Sequence, residues 1–374
     1  MPINAKHLAF PFGMVERIVI NRLRSFRMKT PPLNIALIGC GFMGSMHAQI
    51  YTQLPEVCLL AVADRRVDMA RAKLNKLGLS IPVYATLEEL LARHPNIAVV
   101  DICTPDDVHD ADALLALGAG KHLFCEKPLS ITLASVDRII AKANAAKAFT
   151  QVGHCIRFWP EYQALRDFVR DNRGGRLLSL GLQRQAGRPS YSDGDWLNQP
   201  KRSGGAALDL HIHDTDFVIA LLGMPAAVTS RATFDYSGPS HIFTVYDLPG
   251  VAVCAEGGWN YPARWGFRMA FQAVFENACI DFDSSKSPTL SITWSDGAPE
   301  PMAFIAPAAG KSATAEGNIA SLGGYFNELQ YFVASVMAGR APADATLNDA
   351  RRSLAVVLTE IESARCSRTV TVNA

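Results

Sequence analysis

Residues 33–48 read Leu-Asn-Ile-Ala-Leu-Ile-Gly-Cys-Gly-Phe-Met-Gly-Ser-Met-His-Ala, and this stretch decides the fold. Leu33 to Gly39 is a short apolar run closed by glycine, the pattern of a buried strand. From Phe42 to Leu54 polar and apolar residues mix as they do in a helix covering one face of a sheet. Between strand and helix, Gly39, Gly41 and Gly44 stand in GxGxxG spacing. Gly39 suits a tight turn, Gly41 lets a ligand approach the backbone, and Gly44 lets helix and strand pack closely. The helix start, with Phe42 and Met43 in its first turn, offers unpaired amides to negative charge.

The next strand, Val57 to Ala63, ends at Asp64, 20 positions beyond Gly44. A carboxylate there accepts hydrogen bonds from adenosine ribose hydroxyls, so the unit reads as a dinucleotide site. Asp64 favours NAD, whereas Arg65 and Arg66 leave NADP open, because a guanidinium pairs well with a phosphate. The GxxxxGK[ST] pattern of a P-loop hydrolase is absent.

Strand and helix keep alternating downstream. A helix is predicted from Asp68 to Leu77, a brief strand at Val83 to Ala85, and a helix from Thr86 with Glu89 at capping-box spacing. Strands at Ile97 to Cys103, His122 to Cys125 and Phe149 to Val152 interleave with helices at Asp107 to Leu117 and Ser130 to Ala146. This predicts an α/β domain with a parallel sheet over residues 31–150. After a helix from Pro160 to Asp171, strands dominate: Leu177 to Gln183, Val228 to Phe234, His241 to Tyr246, Val251 to Glu256, Phe267 to Phe275, Ala278 to Phe282 and Thr289 to Trp294. With helices at Thr215 to Leu222, Tyr325 to Met337 and Asn348 to Ser363, residues 151–374 are expected to form an α+β domain on a large, mainly antiparallel sheet. One face of that sheet takes the helices and the other needs a cover, which predicts a homodimer or homotetramer.

Composition narrows the partners. A chain of 374 residues exceeds what one core serves well, and a net charge of +1 gives no support for a nucleic-acid partner. No run is apolar enough to span a membrane. The eight cysteines form no CxxC pair, and Cys40, Cys58, Cys103, Cys125, Cys155 and Cys254 sit mostly in apolar sequence, which fits a reducing cytoplasm. Residues 1–30 form a basic extension outside the alternating pattern, and Met28 just precedes the first strand as an alternative start.

Two clusters carry candidate chemistry. Glu126-Lys127-Pro128 follows a parallel strand, where ligands of open sheets gather, so Lys127 stands at the cofactor crevice with Glu126 as its expected ion-pair partner. Residues 204–216, GGAALDLHIHDTD, place Asp209 and His213 at i,i+4 spacing, able to tune an imidazole for proton transfer if the segment is helical. Asp214 or Asp216 would cap or begin the adjacent helix. The same histidines and aspartates also permit a metal site, although no HExxH is present and the expectation is no metal.

With these signals placed, the chain from about Leu33 onward resembles the glucose–fructose oxidoreductase, inositol dehydrogenase and rhizopine-catabolism (Gfo/Idh/MocA) family. The resemblance rests on IALIGCGFMGSMHA, the strand end VAD, VVDICTPDDVHDADALLALGAGKHLFCEKPLS and GGAALDLHIHDTDFVIALLG. It implies that Lys127 binds and polarises a substrate oxygen, His213 exchanges a proton with it, and Asp209 positions substrate or supports His213. Hydride would pass between a sugar or cyclitol carbon and a nicotinamide. Thr104 and Pro105 resemble the cofactor-facing loop, and His109 matches a helix position beside it. His211 stands where many relatives have glycine. Arg157, Trp159, Tyr191, Trp196, Asn198, Tyr261, Arg264 and Trp265 are candidate substrate contacts, since polar donors beside aromatic faces suit a polyhydroxylated ring. The alternatives are glycoside cleavage through transient oxidation and a nonenzymatic nucleotide-sensing or structural protein.

Overall fold

Six parallel strands form the first sheet of the computed structural model, which describes residues 31–305 and 322–373. They are β1 (Leu33–Ile38), β2 (Val57–Ala63), β3 (Val83–Tyr84), β4 (Val99–Ile102), β5 (His122–Glu126) and β6 (Thr150–Gly153), in the order β3-β2-β1-β4-β5-β6. Helices α1 (Phe42–Tyr51), α2 (Val67–Lys76), α3 (Leu87–Arg93), α4 (His109–Gly118) and α5 (Leu133–Ala146) connect them. Strand order reverses between β1 and β4, and such a reversal opens a crevice at the strands' carboxyl ends. Register levels those ends: Ile38 lies beside both Ala63 and Ile102, and Ile102 beside Cys125. Gly39, Asp64, Cys103 and Glu126 therefore emerge along one edge.

The glycine turn obeys hard-sphere limits. Gly39 has φ +84°, and a Cβ there would lie 2.6 Å from the carbonyl oxygen of Cys103. A Cβ on Gly44 would lie 1.8 Å from the Gly39 carbonyl oxygen, so the start of α1 sits directly on the end of β1. At α3, Thr86 accepts the Glu89 N–H at 3.2 Å, half of the reciprocal box that the spacing predicted. The full box occurs at Thr346 and Asp349.

The second sheet has nine strands: β7 (Leu177–Gly187), β8 (Ala227–Asp235), β9 (Gly238–Asp247), β10 (Ala252–Tyr261), β11 (Phe267–Phe275), β12 (Ala278–Asp283), β13 (Leu290–Trp294), β14 (Glu300–Pro301) and β15 (Val370–Thr371). Their order is β14-β13-β12-β11-β7-β10-β9-β8-β15, antiparallel except where β10 joins β7. The remaining helices are α6 (Pro160–Arg170), α7 (Pro200–Ser203), α8 (Ile212–Leu222), α9 (Gly323–Met337) and α10 (Leu347–Cys366). Tyr162 and Leu165 of α6, Phe217 and Val218 of α8 and Val356 of α10 join the apolar core against this sheet. The opposite face leaves Phe243 and Val245 exposed.

The expected boundary at residue 150 falls inside β6, and helix α9, although its Tyr325 touches the second sheet's core, packs mainly on the first sheet. Phe326, Leu329 and Phe332 of α9 pack with Ile35, Ile50, Val99 and Phe124 of the first sheet. Residues from Leu33 onward form one compact unit. The basic extension of residues 1–30 lies outside the described residues. Among those described, no helix is long and apolar enough to cross a membrane, and all eight cysteines are free.

Gly44→Ala should destabilise the protein by about 2–3 kcal/mol, because overpacking against backbone outweighs alanine's better helix propensity. Urea unfolding monitored by circular dichroism measures it.

Candidate active site

A cavity of about 1120 Å³ runs along the carboxyl edge of the first sheet and is roofed by the second half of the chain. Gly39, Gly41, Phe42, Met43, Asp64, Arg65, Thr104, Pro105, His109, Glu126, Lys127, Asp209 and His213 all line it. Gly44 lies beneath the turn, where it lets α1 approach β1. Three sites expected from separate parts of the sequence thus share one cleft.

The glycine end fits a pyrophosphate. A Cβ on Gly41 would meet nothing within 4 Å, so this position opens onto free space. Helix α1 has no side-chain cap and no acidic residue in its first turn, leaving its amides to an anion. Asp64 accepts the Cys40 and Arg66 backbone N–H groups, both at 2.8 Å, which pins its carboxylate to the glycine turn. Each carboxylate oxygen has two lone pairs, so capacity remains for ribose hydroxyls. Thr104 donates to Asp112 at 2.8 Å, and the buried His109 ring lies 2.8 Å from the carbonyl oxygens of both Thr104 and Pro128. His109 thereby ties together the loops that follow β4 and β5.

At the other end Lys127 reaches across to the glycine-rich motif. Its Nζ donates to the side chain and to the backbone carbonyl of Asp209, each at 2.7 Å. Burial opposes the ammonium charge, but Asp209 and Asp106 outweigh it and hold the Lys127 pKa above its ordinary value. Two of its three N–H groups have protein partners among the described residues, leaving one for a ligand. Burial, reinforced by Lys127 and Arg184, drives the His213 pKa well below 6.5, so this imidazole is neutral at pH 7. Its Nδ1 is buried without a hydrogen-bond partner among the described residues.

Several expected partnerships are replaced. Glu126 makes no ion pair with the Lys127 ammonium; its carboxylate accepts the Lys127 backbone N–H at 3.3 Å and faces His47 Nε2 at 3.1 Å, and His47 Nδ1 meets the buried Asp101 at 2.8 Å. Asp209 turns to Lys127 instead of His213, because residues 207–211 form a widened π-type turn before α8 that breaks the simple i,i+4 stacking. Asp214 and Asp216 do not cap α8. They lie inside it, paired with Arg184 (2.8 and 2.9 Å) and Arg157 (2.7 and 2.8 Å). Arg157 is 3 % exposed and also meets Asp344 at 2.9 Å, so it is buried away from the cavity it was expected to line. The guanidinium is occupied by carboxylates. His211 is buried against Glu360 (3.2 Å) and Tyr246 (3.4 Å), a packing contact beside Gly257.

Of the remaining candidate substrate contacts, Trp159, Tyr191 and Trp196 line the cavity; Asn198, Tyr261, Arg264 and Trp265 do not. The metal set expected as an alternative around His211 and His213 is dispersed: His211 turns to Glu360, and Asp209, Asp214 and Asp216 pair with Lys127, Arg184 and Arg157. Among the described residues, the groups spaced for a metal are His47 with Asp101 and Cys103, and His47 with Glu126 and Glu328. Sequence reading missed Asp106, which is buried at the cavity wall with one carboxylate oxygen unpartnered among the described residues; its place directly after Thr104-Pro105 was the available signal. It also missed Tyr325, which arrives from α9 with no local signal at all.

Comparison with known proteins agrees with this architecture. Residues 33–154 match the family described as "Oxidoreductase family, NAD-binding Rossmann fold", and residues 162–280 match the "GFO/IDH/MocA C-terminal domain". The chain belongs to the Gfo/Idh/MocA oxidoreductase family. It is 31% identical over 191 residues to a myo-inositol 2-dehydrogenase of Thermotoga maritima, covering 51% of this chain and 55% of that protein. An inositol 2-dehydrogenase of Rhizobium meliloti is 27% identical over 277 residues, covering 72% of this chain and 81% of its own length. The fold is similar to that of levoglucosan dehydrogenase in complex with NADH and levoglucosan, with TM-score 0.74 and 22% identity, covering 92% of this chain and 100% of that one.

Arg157→Ala should cost about 3–5 kcal/mol, since it strands Asp216 in the interior. If Arg157 served only a ligand, thermal unfolding of the free protein would be unchanged.

Proposed function

We propose that this chain interconverts a secondary alcohol, or hemiacetal carbon, of a sugar or cyclitol with the corresponding carbonyl, using a nicotinamide dinucleotide. The observation that carries this reading is the Lys127–Asp209 contact at 2.7 Å, in the same cavity as Gly41 and His213. The similarity to dehydrogenases of inositol and levoglucosan supports a polyhydroxylated ring as substrate.

When bound, the dinucleotide supplies hydride acceptance and return. Gly41 and the amides opening α1 would hold its pyrophosphate, and Asp64 its ribose, which favours NAD. Lys127 uses its remaining N–H to bind the substrate oxygen, and its positive charge eases loss of the hydroxyl proton. Asp209 keeps that ammonium charged and aimed. His213, neutral at working pH, takes up the proton at Nε2, because Nδ1 is shut away from the cavity. Trp159 and Trp196 offer apolar faces to a ring. The exposed Phe243 and Val245 on the second sheet support self-association through that face.

Incubation with NAD and a panel of sugars and cyclitols, following both organic product and NADH, tests the reading. Equal amounts of the two are expected. Cleaved glycoside without accumulated NADH would overturn it in favour of transient oxidation. Lys127→Ala should lower kcat by about 10²–10⁴-fold with NADH binding retained. For alcohol oxidation kcat/KM should stay level near pH 7 and fall only below pH 6.5, as His213 protonates. His213→Ala should abolish that acid limb along with most turnover.

A further inference from the structure

The adenosine end of the cavity holds a charge arrangement that the glycine motif does not explain. Its lining includes Asp64, Glu88 and Asp193 and, against them, Arg65, Arg66 and Lys73. Asp193 alone among these comes from the second half of the chain. It engages both arginines that follow Asp64: Arg66 Nη1 lies 2.5 Å from one carboxylate oxygen, and Arg65 Nη2 donates to the other at 3.1 Å. The segment that presents it is held in shape. Tyr191 packs on Phe42 at 5.5 Å, Gly194 and Asp195 turn the chain at positive φ, and Asn198 donates to Asp195 at 2.6 Å. Gln199 donates to the Gly194 carbonyl at 2.8 Å.

In a dinucleotide fold an arginine beside the strand-end carboxylate is what accommodates the extra 2′-phosphate of NADP. Here both candidates are already paired. Each pair uses one guanidinium nitrogen, so a 2′-phosphate, doubly negative near neutral pH, could reach the others, but it would meet charge that Asp193 already balances and lie against that carboxylate. NAD has no phosphate there and leaves the pairs intact.

We propose that Asp193 is a cofactor-specificity determinant: by occupying Arg65 and Arg66 from across the cleft, it enforces NAD over NADP alongside Asp64. The proposal rests on the dinucleotide reading above, and binding tests it without turnover. NADH and NADPH are titrated by fluorescence into the full chain, into Asp193→Asn, and into Asp193→Asn combined with Arg65→Ala and Arg66→Ala. Asp193→Asn should tighten NADPH by about five- to tenfold, as expected for freeing two partly exposed pairs and removing a facing charge, with NADH changed less than about twofold. The gain should vanish in the triple variant and shrink with added salt. An unchanged NADPH affinity, equal shifts for both cofactors, or a gain that survives loss of both arginines would overturn the proposal while leaving the dinucleotide site standing. A wild-type chain that prefers NADPH would also overturn it. Binding of neither cofactor by the wild-type chain would reject the dinucleotide reading and this inference with it.

Discussion

The contact between Lys127 and Asp209 joins two parts of the chain 82 residues apart at 2.7 Å and brings the two candidate clusters together in one cleft. Lys127 stands where β5 leaves the parallel sheet, and Asp209 stands in the widened turn before α8. A half-buried lysine without a counter-charge would lose its proton more readily, because burial disfavours the ammonium. Asp209 reverses that balance. The same positive charge then acts on His213 and helps keep its imidazole neutral. One ion pair thus keeps the lysine charged and adds to the burial that keeps the imidazole neutral.

Around this contact, the interior is organised by charges that cancel locally. Helix α8 carries Asp214 and Asp216 on buried positions, each matched by an arginine from a different element, Arg184 of β7 and Arg157 before α6. Removing one member of such a pair leaves the other stranded, so the pairs fix how α8 is rotated about its axis. That rotation carries His213 to the cavity wall. Arg184 also reinforces the depression of the His213 pKa, so a residue of the sheet core contributes to the state of the imidazole.

The glycine end works by exclusion. Gly39 and Gly44 are required because any side chain would strike backbone, whereas Gly41 faces open space. Helix α9 then completes the first sheet from far along the chain, bringing Tyr325 to the cavity and closing the apolar face over Ile35 and Phe124. The cofactor half is therefore finished by a helix that follows every strand of the second sheet but the last.

Local features were legible in the sequence. Buried parallel strands write themselves as apolar runs, a turn made by contiguous residues shows its glycines at fixed spacing, and Asp64 and Lys127 follow strand ends that can be counted. The reading of β7 stopped at Gln183, four residues short, because Gln-Arg-Gln looks like the end of a strand; Arg184 is buried there because Asp214 neutralises it. The parallel β10–β7 pairing left no such trace. Sequence alone determined the class of fold, the dinucleotide turn and the identity of the charged groups. Tertiary structure decided which partner each charge takes: Asp209 for Lys127, His47 for Glu126, Asp216 for Arg157 and Asp193 for Arg65 and Arg66. The reason is that a turn is specified by neighbours in the chain. An interior ion pair depends on elements packed from distant positions, and no local spacing records which carboxylate will arrive.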